Sequence, residues 1–176
     1  MVSINGSELH KIMPYATLER CYLYAPILTR RMAKYDINTP LRVAHFLAQI
    51  AHESGSLKYT TEIASGVKYE GRTDLGNIHE GDGTKFKGRG LIQLTGRKNY
   101  TDYDNATRCG CVASPSLLST PEMAVDVSCW FWKTRGLNEL ADKDDVKAVT
   151  RRVNGGYNGL EERTRFLATA KRVLGV

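Results

Sequence analysis

Two glutamates and a glycine-rich stretch carry the residue types most able to do chemistry in this chain. Glu53 lies in Ala48-Gln49-Ile50-Ala51-His52-Glu53-Ser54-Gly55, and Glu62 follows nine residues later in Tyr59-Thr60-Thr61-Glu62. Downstream runs Phe86-Lys87-Gly88-Arg89-Gly90-Leu91-Ile92-Gln93-Leu94-Thr95-Gly96-Arg97. Paired carboxylates in unlike surroundings suit hydrolysis of a glycosidic bond. One keeps its proton near neutral pH and gives it to the leaving oxygen, while the other stays ionised and activates water. A separation of about 6.5–9.5 Å admits that water and inverts the anomeric carbon; about 5–5.5 Å means retention. Gln93 and Thr95 alternate, so their side chains share a face and can hydrogen-bond a water or a sugar hydroxyl. Their plainer reading is as turn residues beside Gly96. Asn154-Gly155-Gly156 reads first as a helix stop, although an Asn amide also suits the acetamido group of an amino sugar.

The elements that position these residues are mostly helices. Thr39 is a good N-cap and Pro40 suits the first helical position. Val43, Phe46, Leu47, Ile50 and Ala51 then recur at helical spacing, and Gly55 is a natural stop. Glu53 extends this apolar stripe into the last turn, beside the negative end of the helix dipole. Both features disfavour an ionised carboxylate there. In one unbroken helix Glu53 and Glu62 would point to opposite faces at about 100° per residue. The Ser54-Gly55-Ser56 break lets the chain turn so that they can face one another.

The rest of the chain follows the same logic. The first forty residues read as helical, with Thr17 capping a stripe of Leu18, Cys21 and Tyr22, Pro26 kinking or restarting it, and Leu28, Met32 and Tyr35 continuing it. Between Gly66 and Gly90 the periodicity disappears. This long loop holds seven of the sixteen glycines, and such loops are more often functional than idle. Leu91 to Leu94 is compatible with a short strand or a turn leading into a helix. Thr120-Pro121 opens another helix, with Met123, Val127, Trp130 and Phe131 as its buried stripe. Asp144 to Val153 and Leu160 to Leu174 complete the set, the last with Phe166, Leu167, Ala170 and Val173 on one side.

Bulk properties narrow the classes. A chain of 176 residues can bury one core, and 41% hydrophobic residues fit a globular protein rather than a disordered one. No apolar run is long enough to span a bilayer, and the N-terminus lacks a secretory pattern. Synthesis and retention in a cytoplasm are therefore expected. The net charge of +6 favours anionic partners such as an acidic cell wall, nucleic acid or lipid, without choosing among them. Gly88-Arg89-Gly90 does not extend to a phosphate loop, and Asp74 to Asp82 lacks the alternation of a calcium loop. The histidines have no metal spacing; His45 and His52 read as half-exposed packing residues. Cys109-Gly110-Cys111 is too tight for a structural zinc site. Cys21 and Cys129 read as core residues, and Cys109 and Cys111 as loop thiols. No metal or organic cofactor is expected.

Taken together, the motifs resemble the family 19 glycoside hydrolases. Those motifs are Ala-Gln-Ile-Ala-His-Glu-Ser-Gly, Asp74-Leu75-Gly76-Asn77, the Gly88 to Arg97 stretch and, more weakly, Val153-Asn154-Gly155-Gly156 with Glu162-Arg163. The version present here is most similar to bacteriophage endolysins, over roughly residues 40 to 170. The resemblance implies a mainly α, chitinase-like fold of the lysozyme superfamily. This would be one two-lobed catalytic domain, divided around the 66–90 loop, with little β structure and no separate wall-binding domain. By the same resemblance Glu53 is the general acid, Glu62 is the base of an inverting reaction, and Thr95 helps hold the water. Gln93, Asn99 and Asn154 contact sugar, Arg163 tunes the carboxylates from the cleft, and Tyr100 joins the substrate contacts. Plant chitinases of the family carry an acidic residue shortly after Asn-Gly-Gly, where this chain has Tyr157-Asn158. This departure favours peptidoglycan over chitin.

The leading expectation is thus a monomeric muramidase cutting β-1,4 bonds between N-acetylmuramic acid and N-acetylglucosamine. It would wait in the host cytoplasm until a holin opens the membrane, then act on the wall without stable membrane association. A chitinase and a lytic transglycosylase are the enzymatic alternatives. A non-enzymatic wall or nucleic-acid binder would draw on the charge and on Tyr100, Tyr103, Trp130 and Trp132, but no nucleic-acid module is present and no nucleic-acid partner is expected.

Overall fold

Short polar side chains start the helices. In the computed structural model, which describes residues 1–176, Asn5 and Glu8 form a reciprocal capping box on α1 (Gly6–Ile12). Thr17 caps α2 (Leu18–Lys34) by accepting from the Arg20 N–H, and Thr39 caps α3 (Pro40–Glu53) by accepting from the Arg42 N–H, both at 3.2 Å. The remaining helices are α4 (Asp82–Lys85), α5 (Arg97–Thr107), α6 (Pro121–Thr134), α7 (Leu137–Asp142), α8 (Val146–Asn154) and α9 (Leu160–Leu174). Extended pairing is confined to the isolated antiparallel bridges Thr61 with Arg89 and Arg89 with Leu94. The fold is mainly α with little β structure, as expected.

The chain forms two compact units, Met1–Lys58 with Cys129–Val176, and Tyr59–Ser128. In the first, α3 is the axis. Every residue from Val43 to Ala51 is buried, so this helix is covered all round rather than on one stripe. The two histidines of α3 consequently differ. His45 is buried, contrary to the half-exposed reading, and its Nε2 lies 2.8 Å from Asp144 Oδ1. His52, near the exposed end of the helix, meets Glu162 through Nδ1 at 2.8 Å. α9 packs along α3, α7 and α8 also pack against it, and α1 packs on α2 and α9. Trp132 is fully buried edge-on to Phe46, with centroids 5.3 Å apart, and its indole N–H donates to Asn138. α2 passes through Pro26 without interruption. Its buried side includes Cys21, Tyr24, Leu28 and Met32, whereas Leu18 and Tyr22 are exposed.

The second unit contains the glycine-rich stretch, which has an internal frame although it lacks periodicity. Short 3-10 turns form at Val67–Tyr69 and Thr73–Leu75. The Glu70 carboxylate accepts from the N–H groups of Gly81 and Gly83, both at 2.7 Å. Buried Asn77 donates to the Tyr69 carbonyl at 2.9 Å and accepts from the Arg97 N–H at 2.8 Å, tying the loop to the start of α5. Arg97 also makes a bidentate pair with buried Asp82. Leu91 to Leu94 is a turn closed by the Arg89–Leu94 bridge. Gly90, at φ +109°, sits where a Cβ would lie 2.8 Å from Val127 Cγ1 and 2.9 Å from the Ile92 carbonyl oxygen.

Further differences from the sequence reading have simple causes. Trp130 and Met123 are only half-buried, while Ala124, Val125 and Ser128 are buried on the same helix. Cys111 is buried rather than a free loop thiol, with its Sγ 3.5 Å from the Tyr100 carbonyl oxygen. α5 and α7 are too polar or too short to show a stripe.

Candidate active site

Glu53 is the last residue of α3, and its backbone is set by the Thr39 cap, the buried length of the helix and the turn at Ser54. The Ser54 hydroxyl accepts from the Leu57 N–H at 2.9 Å and so fixes that turn. The neighbour of the Glu53 carboxylate is not apolar surface but Arg163 of α9, with Nη2 2.6 Å from Oε1. Arg163 is fully buried, while the Glu53 side chain keeps 23% exposure. The contact is ionic, since neither atom makes an aligned hydrogen bond.

A chain of buried polar groups holds that arginine. Its Nη1 donates to Gln49 Oε1 at 2.6 Å, and its Nε donates to the Asn158 carbonyl at 3.1 Å. The Gln49 amide in turn donates to Thr150 of α8 at 3.2 Å. Gln49 therefore links α8 to the α3–α9 contact at one guanidinium, whose planar fork serves Gln49 and Glu53 together. Asn154, the last residue of α8, belongs to the same unit and is exposed beside Gly155, which adopts a left-handed conformation.

Glu62 belongs to the second unit and is held differently. Its N–H donates to the Gly88 carbonyl at 2.8 Å, and the Gly88 N–H returns a bond to Oε2 at 3.1 Å. Tyr69 donates its hydroxyl to Oε1 at 2.9 Å, and Lys68 Nζ lies 3.3 Å from the same oxygen. Burial opposes ionisation here, but the Gly88 N–H, the Tyr69 hydroxyl and the Lys68 ammonium together outweigh it. The carboxyl is held below its ordinary value of 4.5. Burial and the donated hydrogen bond push the Tyr69 phenol upward, so it stays a donor near neutral pH.

The Gly88-Arg89-Gly90 segment is thus a clamp on Glu62. Gln93 packs on it so closely that a Cβ at Gly88 would meet Gln93 Oε1 at 2.7 Å. Thr95 and Asn99 are half-buried in the same unit, and the Asn99 amide donates to the Thr95 carbonyl at 2.7 Å. One assigned substrate contact, Tyr100, is an interior group. Tyr100 is fully buried, donates to the Lys87 carbonyl at 2.6 Å and accepts from Arg89 at 3.0 Å; burial pushes its phenol up to about 12. It braces the glycine segment rather than touching sugar. Arg163, assigned to tune the carboxylates, is fully buried and meets Glu53. The sequence reading gave no role to Gln49, Lys68 or Tyr69. Gln49 lies within the quoted glutamate motif, but Lys68 and Tyr69 sit in the loop without any local signal.

One group has ligand types suited to a metal. Asp104, Cys109 and Cys111 bring ligand atoms within 4.8 Å of one another. Both Asp104 oxygens already accept N–H bonds, from Gly110 at 2.8 Å and Val112 at 2.9 Å. Burial also drives the Cys111 thiol well above its ordinary range. These groups serve the loop.

A glutamate beside a buried arginine and another stabilised as a carboxylate are the residue types that glycosidic hydrolysis uses. No family model matches the chain. It is 30% identical to a glycosyl hydrolase family 19 domain-containing protein of Haemophilus influenzae, over 93% of each chain. It is also 30% identical to an endochitinase of Arabidopsis thaliana over 76% of its own length, although it spans only 48% of that protein. Chitinase C from Streptomyces griseus superposes over 98% of the chain and 77% of its own, with a TM-score of 0.80 at 21% identity. A bacterial family 19 chitinase superposes over 98% of the chain and 95% of its own, with a TM-score of 0.77 at 21% identity. The chain belongs to glycosyl hydrolase family 19 and is a chitinase-like glycoside hydrolase.

Proposed function

We propose that the protein hydrolyses β-1,4 bonds of bacterial peptidoglycan, with Glu53 as general acid and Glu62 as general base. The observation that carries this reading is the support of Glu62 in its ionised form. Gly88, Tyr69 and Lys68 favour the ionised form of Glu62, which a base requires before it can take a proton from water. Glu53 stands at a helix end beside one buried guanidinium, a neighbour that can stabilise the carboxylate formed once its proton has gone to the leaving oxygen. Thr95, Gln93 and Asn99, in the same unit as Glu62, are assigned to the water and to sugar hydroxyls, and Asn154 to an acetamido group. The net charge of +6 supports an acidic wall polymer over neutral chitin. The physiological role we assign is host lysis by a phage-type enzyme that reaches the wall after a holin opens the membrane. The endochitinase relatives favour a second reading, hydrolysis of chitin.

The test is mass spectrometry of fragments released from purified Gram-negative peptidoglycan, with soluble chitin oligomers in parallel. Wild type, Glu53→Gln and Glu62→Gln are compared. Reducing muramic acid ends that fall by about 10²–10⁴ in both variants are expected. Cleavage of chitin oligomers alone moves the assignment to chitinase. Anhydro ends that persist in Glu62→Gln overturn the hydrolytic mechanism.

A further inference from the structure

Outside the two carboxylates, the strongest concentration of unused charge lies on α8. The helix reads Val-Lys-Ala-Val-Thr-Arg-Arg-Val-Asn, with three cations and no anion. Lys147 and Arg151 are four residues apart and so share a face, where like charges repel. Lys147 also stands in the first turn, at the end of the helix dipole that disfavours a cation. Neither residue has a carboxylate partner, in contrast to the helix pairs Lys98–Asp102 and Arg165–Glu161. Arg151, in the last turn, is favoured by the dipole, so the electrostatic cost falls on Lys147 and on its repulsion with Arg151.

The same residues line a cleft of about 690 Å³, together with Arg152, Gly155 and Tyr157. Asp145 is its one acid, and one of its oxygens is already used to cap α8 through the Ala148 N–H. Arg152 is fixed by donating to the Arg135 carbonyl at 2.8 Å. Tyr157 is 51% exposed, and Lys147 Nζ lies 5.9 Å from its ring centre. Unpaired cations beside an exposed aromatic ring suit a ligand that has both a carboxylate and a flat or apolar face. The helix is also joined to the acid side of the reaction. Thr150, next to Arg151, accepts from Gln49, which holds the arginine paired with Glu53.

We infer that this cleft is a subsite for the carboxylate-bearing peptide stem of a peptidoglycan strand. Lys147 and Arg151 bind the carboxylate and Tyr157 packs against the stem. The inference rests on the peptidoglycan reading above and deepens it. Such a subsite selects an anionic, peptide-bearing glycan over a neutral homopolymer of the same backbone.

The test measures kcat and KM for wild type, for the Lys147→Ala/Arg151→Ala double variant and for Arg151→Lys. The substrates are soluble uncrosslinked peptidoglycan strands, the same strands with their stems removed enzymatically, and chitohexaose. The double variant should raise KM on stem-bearing strands by roughly 10-fold or more with kcat unchanged, as loss of hydrogen bonds to a charged group implies. Stripped strands and chitohexaose should show no change, and Arg151→Lys should recover part of the loss. The double variant should melt close to the wild-type temperature, because the lost repulsion offsets the lost dipole contact of Arg151. An equal loss on all three substrates, or no loss on any, overturns the subsite.

Binding of stem-bearing strands to Glu62→Gln protein, with and without the α8 substitutions, separates this inference from the catalytic one. Strands bound in a charge-dependent way but never cut by wild type keep the subsite and overturn the hydrolase reading. Strands cut with no dependence on Lys147 or Arg151 do the reverse. Strands neither bound nor cut overturn both.

Discussion

The Glu62 carboxylate receives a backbone N–H, a phenol hydroxyl and an ammonium, and each favours its charged form. A base is lost when it is protonated, and a lowered pKa delays that loss to lower pH. The acid limb of kcat/KM is therefore expected below 4.5, the ordinary glutamate value. Tyr69→Phe or Lys68→Ala removes support for the anion and should move that limb upward, which a pH–rate profile of each variant will read. Glu53 depends on geometry as well as charge, since one fork of Arg163 serves both Gln49 and Glu53. Arg163→Lys keeps the charge but cannot reproduce the fork, so activity should fall at least 10-fold with the fold retained. Arg163→Ala removes one partner of a largely buried pair and should cost about 3 kcal/mol in denaturant unfolding, the low end for such pairs because Glu53 is partly exposed.

At the scale of elements, caps and turns set where the carboxylates stand. Thr39→Ala should cost about 1 kcal/mol through the lost cap of α3, measured as a lower urea midpoint with an unchanged slope. Gly90→Ala meets both a backbone oxygen and Val127 at a positive φ, and should destabilise by about 1–3 kcal/mol. Its effect on activity should exceed its effect on stability, because Gly90 lies two residues beyond Gly88, the group that donates to Glu62. The elements also explain why Tyr100 is interior. Tyr100 sits one position after Asn99, and on a helix that neighbour points elsewhere, in this case inward to the Lys87 carbonyl.

At the scale of the whole molecule, acid stability is governed in part by a histidine remote from the chemistry. His45 is buried on α3, and Asp144, with Lys171 and Asp145 nearby, faces its ring. Burial lowers its pKa from 6.5, and attraction to Asp144 only partly offsets this. The folded state thus binds a proton less readily than the unfolded chain. The stabilisation is complete above about 6.5 and is lost as pH falls through the folded value. The melting temperature should decline as pH drops from 7 towards 5, and His45→Gln should flatten that part of the curve.

Sequence alone determined what is local. Thr17 and Thr39 cap helices because a short acceptor satisfies an N–H three residues away. The bounds of the final helix follow from Gly159 and Gly175. The two glutamates and the glycine stretch were legible because their types and order are distinctive. Tertiary structure decided who their neighbours are. Arg163 lies 114 residues from Gln49, and Gly88 lies 26 residues from Glu62, so no periodicity links them. Burial of Arg163 and Tyr100 was equally invisible, since a charged or polar side chain becomes interior only when distant groups complete its hydrogen bonds. A carboxylate's readiness to hold or release a proton is set by those distant groups, and the backbone brings them together only in the folded chain.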